Sequence, residues 1–149
     1  MNKKGWIDDS LFTKIKRSMP IAAVDILALH QGRLLLMLRN NEPAKNEWFT
    51  PGGRILYGET LKDAVVRKLH EETGLKATNI GKSATMSHFY SNAHYVTTFF
   101  RVDVTDDKVK LNEQHRDYKW ISSLETDLHP YVRQMIEELE IFPGRIEQK

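Results

Sequence analysis

Two β-rich runs, Ile21 to His30 and Arg33 to Arg39, flank Gln31-Gly32 and predict a hairpin. In the second run Leu34-Leu35-Leu36-Met37-Leu38 shows no alternation, so this strand is expected to be covered on both faces. Ahead of the hairpin, Leu11, Phe12 and Ile15 recur at helical spacing over 10–17, with Asp8, Asp9 or Ser10 able to cap and Pro20 as a stop. After a polar loop over 40–47, Trp48-Phe49-Thr50 reads as a short strand ended by Pro51-Gly52-Gly53. A helix from Thr60 to Thr73 follows, entered through Glu59 and Thr60 and stopped by Gly74. Further β-rich runs lie near 85–90, 95–104 and 117–121. A last helix over 129–142 carries Val132, Met135, Ile136 and Leu139 as its apolar stripe, before Pro143-Gly144.

Strands, a central helix, more strands and a closing helix describe an α/β or α+β sandwich. The 149 residues suit one domain, with 1–19 as an N-terminal helical segment and 145–149 as a mobile tail. Apolar residues make up 40% and charged residues 28%, a globular composition. Lys plus Arg number 22 against 20 Asp plus Glu, so there is no single-sign field to draw nucleic acid. With Cys 0, disulfides, thiolate zinc sites and Cys nucleophiles are excluded. The first residues lack the apolar core of a signal peptide, and Ile21 to Leu29, interrupted by Asp25, is too short to cross a bilayer. A cytoplasmic protein without a membrane partner is expected, doing its chemistry with oxygen and imidazole groups.

Candidate chemistry concentrates in the central helix. At about 100° per residue, with Leu61 at zero, Val65 falls near about 40°, Leu69 near about 80° and Glu72 near about 20°. The buried face thus carries a carboxylate, which is costly unless it is paired or bound to a cation. Lys68 stands four residues before Glu72, and Arg67 four before Glu71, so ordinary ion pairs are one explanation. The glycine-rich segment from Gly52 to Glu59 offers another. It brings backbone carbonyls, an Arg and a helix start together, and hard cations such as Mg²⁺ bind through one or two carboxylates plus substrate phosphates.

Gly53, five residues, Glu59, seven residues, then Arg67-Lys68-Leu69-His70-Glu71-Glu72-Thr73-Gly74-Leu75 resembles the Nudix box, with Lys68 where the family has Glu. This resemblance implies a Nudix-type α/β/α sandwich around a mixed sheet, and a hydrolase of nucleoside diphosphate derivatives dependent on Mg²⁺ or Mn²⁺. Further segments resemble the GDP-mannose mannosyl hydrolases: Arg39-Asn40-Asn41-Glu42-Pro43-Ala44, Trp48 to Arg54, Gly58-Glu59-Thr60-Leu61, His88-Phe89-Tyr90, His94-Tyr95-Val96 and Leu111 to Trp120. In that subgroup the box is degenerate.

The subgroup resemblance implies a nucleotide-sugar substrate and a homodimer, for which the apolar side of the first helix is suited. It places one Mg²⁺ on Glu72, Gln114 and the Gly52 carbonyl, with Glu71 as an additional or water-mediated ligand. Arg54 and Arg67 would neutralise the departing GDP, and Arg39 would contact the nucleotide. His115 would deprotonate a water attacking sugar C1, with Asp25 orienting the sugar. Each residue also has a plainer reading. His115 can be a polar turn residue, Asp25 a partnered carboxylate, Arg39 a strand-end charge, and His88, Tyr90 and Tyr95 either a substrate platform or packing. Trp48, Phe49 and Trp120 read as core, and His30, His70, His94 and His129 show no metal-ligand spacing. Pyrophosphate cleavage and a non-catalytic nucleotide-binding module are the competing functions.

Overall fold

A computed structural model describes residues 5–42, 44–90 and 92–143; the tail over 145–149 expected to be mobile lies outside them, as does Pro43 of the subgroup motif. Helix α1 (Asp9–Ser18) is capped by Asp8, whose carboxylate accepts the Leu11 N–H at 2.9 Å. Strands β1 (Ile21–His30) and β2 (Arg33–Arg39) form the expected hairpin. Gln31 and Gly32 both have positive φ, at 52° and 77°. That is the backbone twist a two-residue hairpin turn requires.

Strands β3 (Trp48–Phe49) and β4 (Gly52–Arg54) precede α2 (Leu61–Thr73). The Thr60 hydroxyl accepts the Asp63 N–H, and Gly74, with φ 74°, closes α2 in the left-handed conformation. Strands β5 (Ala77–Tyr90), β6 (Ala93–Val104) and β7 (His115–Ile121) and helix α3 (Pro130–Glu138) complete the chain. The seven strands make one sheet in the order β3-β2-β1-β6-β5, with β4 on β1 and β7 on β2. Only β1 and β6 run parallel, so the sheet is mixed.

Two cores result, one on each face. Val24, Ile26, Ala28, Leu35 and Met37 pack against Ala64, Val65 and Leu69 of α2. Leu27, Leu29, Leu34, Leu36 and Phe99 pack against Val132, Met135, Ile136 and Leu139 of α3. The unalternated run of β2 is divided between them, which is why it needed no polar face.

Several boundaries differ from expectation. Gly52-Gly53 does not end a strand but makes one, paired with β1 through Asp25↔Gly52 and Val24↔Gly53. β5 begins at Ala77 rather than near Thr85; it is an edge strand with two register shifts, and its first half is mostly exposed and polar. Leu61, counted on the buried face by the helical wheel, is 41% exposed, because the buried residues of α2 begin only at Ala64. Among the described residues no helix is long and apolar enough to cross a membrane.

Leu69 is fully buried at the centre of the α2 face. Truncation to Ala is expected to cost about 2–5 kcal/mol in denaturant unfolding, with an unchanged denaturant slope.

Candidate active site

The site lies where β1 changes partner. Its end pairs with β2 at Leu29↔Leu34, while its beginning pairs with β4 on that same edge. Gly52 is required by what touches it, and Gly53 leaves room for the end of the Lys68 side chain. A Cβ on Gly52 would collide with the Asp25 carboxylate and the Val24 carbonyl, and one on Gly53 would meet Lys68 Cε at 2.7 Å. Gly52 also donates its N–H to Glu72 Oε1 at 3.3 Å. This strand therefore runs between two acids, with a lysine against it.

Glu72, 1% exposed, is the acid that the helical wheel points inward. Lys68 Nζ lies 2.8 Å from its Oε2 and 3.6 Å from Glu71 Oε1. Burial raises the Glu72 pKa, and the charge of Lys68 opposes the rise. The Asp25 carboxyl is pushed well above the usual carboxylate range, first by burial and then by the charge of Glu72, with Arg39 opposing. Two acids thus share this region with Lys68 and Arg39.

Arg67 and Glu71 do not line the cavity. The Arg67 guanidinium donates to both Glu59 oxygens, to the Arg54 carbonyl at 3.0 Å and to Glu71 Oε1 at 3.3 Å. Glu59 in turn accepts the Leu56 N–H at 2.9 Å. Arg67 is therefore a clasp joining the 54–59 loop to α2, and its expected contact with a leaving diphosphate is replaced by these bonds. The Glu59–Arg67 pairing lowers the acid's pKa and raises the base's.

A cavity of about 330 Å³ opens above β4. Its lining combines charged and polar groups, Asp25, Arg39, Gly52, Arg54, Lys68 and Gln114, with the aromatic rings of Phe49, His88, Tyr90 and Tyr95. Arg54 is aimed by a bond to the Gly5 carbonyl at 3.0 Å and by the Phe12 ring, 5.4 Å from the guanidinium. Gln114 is fixed through its backbone: its carbonyl accepts from the Asn40 N–H and its N–H donates to Asn112 Oδ1, both at 2.9 Å. His88 stacks on Tyr95 with centroids 5.6 Å apart, and its Nε2 lies 2.8 Å from the Thr97 hydroxyl.

The oxygen-rich donor set fits a hard divalent cation. Glu72, Gln114 and the Gly52 carbonyl would hold it near Asp25. Glu72 does not itself line the cavity and its two oxygens are engaged by Lys68 and the Gly52 N–H, so a cation there would take the place of the Lys68 ammonium. Among the described residues no three His, Asp or Glu side chains converge as a complete cage. Mg²⁺ commonly takes only one or two carboxylates and fills its shell with water and substrate phosphate.

His115 is placed differently from expectation. It is 3% exposed and does not line the cavity, and neither ring nitrogen has a hydrogen-bond partner. Burial, with Arg39 and Lys68 nearby, lowers its pKa to about 4. The cause is register: β7 starts at this residue and pairs it with Arg39 across a bulge, turning the ring inward. Conversely, Phe12, Thr50 and Thr97 join the cavity wall without being singled out in the sequence. Alternation along β6 places Thr97 on the face of Tyr95, a signal that could have found it.

The buried His115 makes stability pH-dependent. Its folded pKa of about 4 lies below the ordinary 6.5, so as pH falls the unfolded chain takes up the proton first. The stabilisation is complete above pH 6.5 and is lost on descent towards about 4, at about 1.4 kcal/mol per pH unit. The raised pKa values of Asp25 and Glu72 act in the opposite sense, so the contribution of His115 is read as a difference. In chemical denaturation the stability of the protein relative to His115→Leu should fall as pH drops through this window.

A family model described as the NUDIX domain matches residues 19–139. The chain is 36% identical to a low-salt glycan biosynthesis protein, Agl8, of Haloferax volcanii over 90% of its own length and 91% of that protein. It is 33% identical to an ADP-ribose pyrophosphatase of Methanocaldococcus jannaschii over 66% of the chain and 59% of that protein. Among solved structures, a MutT Nudix hydrolase from Burkholderia pseudomallei superposes with a TM-score of 0.74 at 23% identity, covering 82% of this chain and 99% of that one. A MutT protein from Methanosarcina mazei Go1 gives 0.72 at 29%, covering 83% and 95%. Hydrolases of this family use divalent cations such as Mg²⁺ or Mn²⁺ and act on nucleotide derivatives. With a split mixed sheet, a carboxylate helix under a glycine strand and a family match across most of its length, this chain belongs to the Nudix hydrolases.

Proposed function

We propose that the protein hydrolyses a nucleotide sugar, GDP-mannose or a related GDP-hexose, to the nucleoside diphosphate and the free sugar. One observation carries this reading: a single cavity is lined both by cationic groups suited to a diphosphate and by aromatic rings suited to a base or sugar. The segments resembling GDP-mannose mannosyl hydrolases, and the similarity to a glycan biosynthesis protein, support the sugar.

Arg39, Arg54 and Lys68 would bind the diphosphate and offset the charge that grows on it as the bond to sugar C1 breaks. A divalent cation held by Glu72, Gln114 and the Gly52 carbonyl would add Lewis-acid stabilisation of that leaving group. Water attacks C1, its proton passes to a base, and the C1–O bond electrons leave with the diphosphate; one displacement inverts the anomeric centre. Asp25 is better placed as the base than His115, because it lines the cavity and His115 does not. Leu11, 48% exposed on α1, would suit a homodimer contact, which light scattering reads as mass.

The similarity to an ADP-ribose pyrophosphatase favours a second reading, attack at phosphorus. Turnover of GDP-mannose with Mg²⁺ in ¹⁸O-water separates the two. Label in the sugar is the expected result; label in a phosphate product overturns attack at carbon. Asp25→Asn should lower kcat by about 100-fold or more, and His115→Gln by about tenfold or less. The reverse order would return the base to His115.

A further inference from the structure

His129 stands at the start of α3, and its ring serves two neighbours. Nδ1 accepts the Tyr131 backbone N–H at 3.1 Å, one of the donors a helix start leaves unmatched. Nε2 lies 2.8 Å from Tyr90 Oη. A backbone amide has only a proton to offer, so Nδ1 presents its lone pair and the neutral ring carries its proton on Nε2. Nε2–H then donates and Tyr90 Oη accepts. The phenol's own proton is left for another acceptor, and Tyr90 lies on the cavity wall.

The surroundings hold this arrangement in place. The Tyr90 and His129 rings stack with centroids 5.6 Å apart, and Phe49 packs on His129 at 4.9 Å. The Tyr131 hydroxyl is engaged with the Phe89 backbone, donating to its carbonyl at 3.1 Å and accepting its N–H at 3.3 Å. It ties α3 to β5 beside Tyr90 and takes no part in the Tyr90 bond. His88 Nε2 is occupied by Thr97. Burial lowers the His129 pKa, with the charge of Glu47 opposing, and raises that of Tyr90 to about 12. Both groups are therefore neutral near pH 7, as the proton assignment requires.

We propose that His129 is a positioning residue: by capping α3 through Nδ1 it fixes Tyr90 as a hydrogen-bond donor, so this part of the cavity wall selects an acceptor oxygen on the ligand. That oxygen belongs either to the nucleotide, as a base carbonyl, or to the sugar. The ligand rests on the nucleotide-sugar reading above, but the direction of the proton rests on the geometry alone.

Long-range ¹H–¹⁵N spectra of the unliganded protein near neutral pH report the tautomer directly. His129 with its proton on Nε2 is expected; a proton on Nδ1 overturns the proposal whatever the ligand proves to be. Tyr90→Phe and His129→Asn form the second arm, since Asn keeps a good cap but is too short to reach Tyr90. Each should raise KM for GDP-mannose about three- to tenfold, with kcat within about twofold. The double variant should be no worse than either single one. Additive losses, an unchanged KM in Tyr90→Phe, or a loss confined to kcat overturns the assignment. Calorimetry with GDP alone locates the acceptor: an equal loss of affinity places it on the nucleotide, and a loss seen only with GDP-mannose places it on the sugar. Failure of any nucleotide sugar to bind would sink the functional reading, and the tautomer would still decide the proton's direction.

Discussion

The face of α2 that buries Val65 and Leu69 also buries the carboxylate of Glu72, and the surroundings of the site follow from compensating that acid. A charge at this depth is tolerated only with partners at hand. Lys68 supplies one from the preceding turn of the same helix, and the Gly52 amide supplies another from the neighbouring strand. Both need close approach, so the positions facing them have no side chain. Asp25, brought opposite Gly52 by strand register, then adds a second acid that these partners leave uncompensated. The two acids suit a cation, while Arg39, Arg54 and Lys68 on the same cavity suit the diphosphate that would accompany it.

How far this could be read from sequence depends on the range of the forces involved. The bounds of β1 and β2 follow from local pattern and a two-residue turn, and those of α2 from Thr60 and Gly74, so all three were legible. The inward aim of Glu72 and its pairing with Lys68 are properties of one helix, and the wheel recovers them. The role of Gly52 and Gly53 as a strand was hidden, because what fixes it is the bulk of Asp25 and Lys68 arriving from other elements. The burial of His115 accompanies a bulge in β7, where Arg116 is the extra residue between the pairs Leu38↔Asp117 and Arg39↔His115. The bond between Tyr90 and His129 joins residues 39 apart through the docking of α3, and no local pattern announces it.

Arg67 shows how a residue that belongs to a motif can act at one remove from chemistry. Its guanidinium is used up on Glu59, Glu71 and the Arg54 carbonyl, so its effect on a substrate passes through the loop it restrains. Arg54 on that loop reaches the cavity, and its orientation depends on the clasp behind it as well as on Gly5 and Phe12. The separation of labour between a scaffolding arginine and a ligand-facing one is written in their partners, since sequence spacing alone treats them alike.

β1 gives one whole edge to β6 and divides the other between β2 and β4. The floor of the cavity is therefore laid on the most enclosed strand of the sheet, not on a peripheral one. Fluctuations that free an edge strand or a loop leave it in place, and its amide protons should be among the last to meet solvent. Whatever breathing admits a substrate and releases products must come from the walls, while Asp25 and the strand that carries it stay in place.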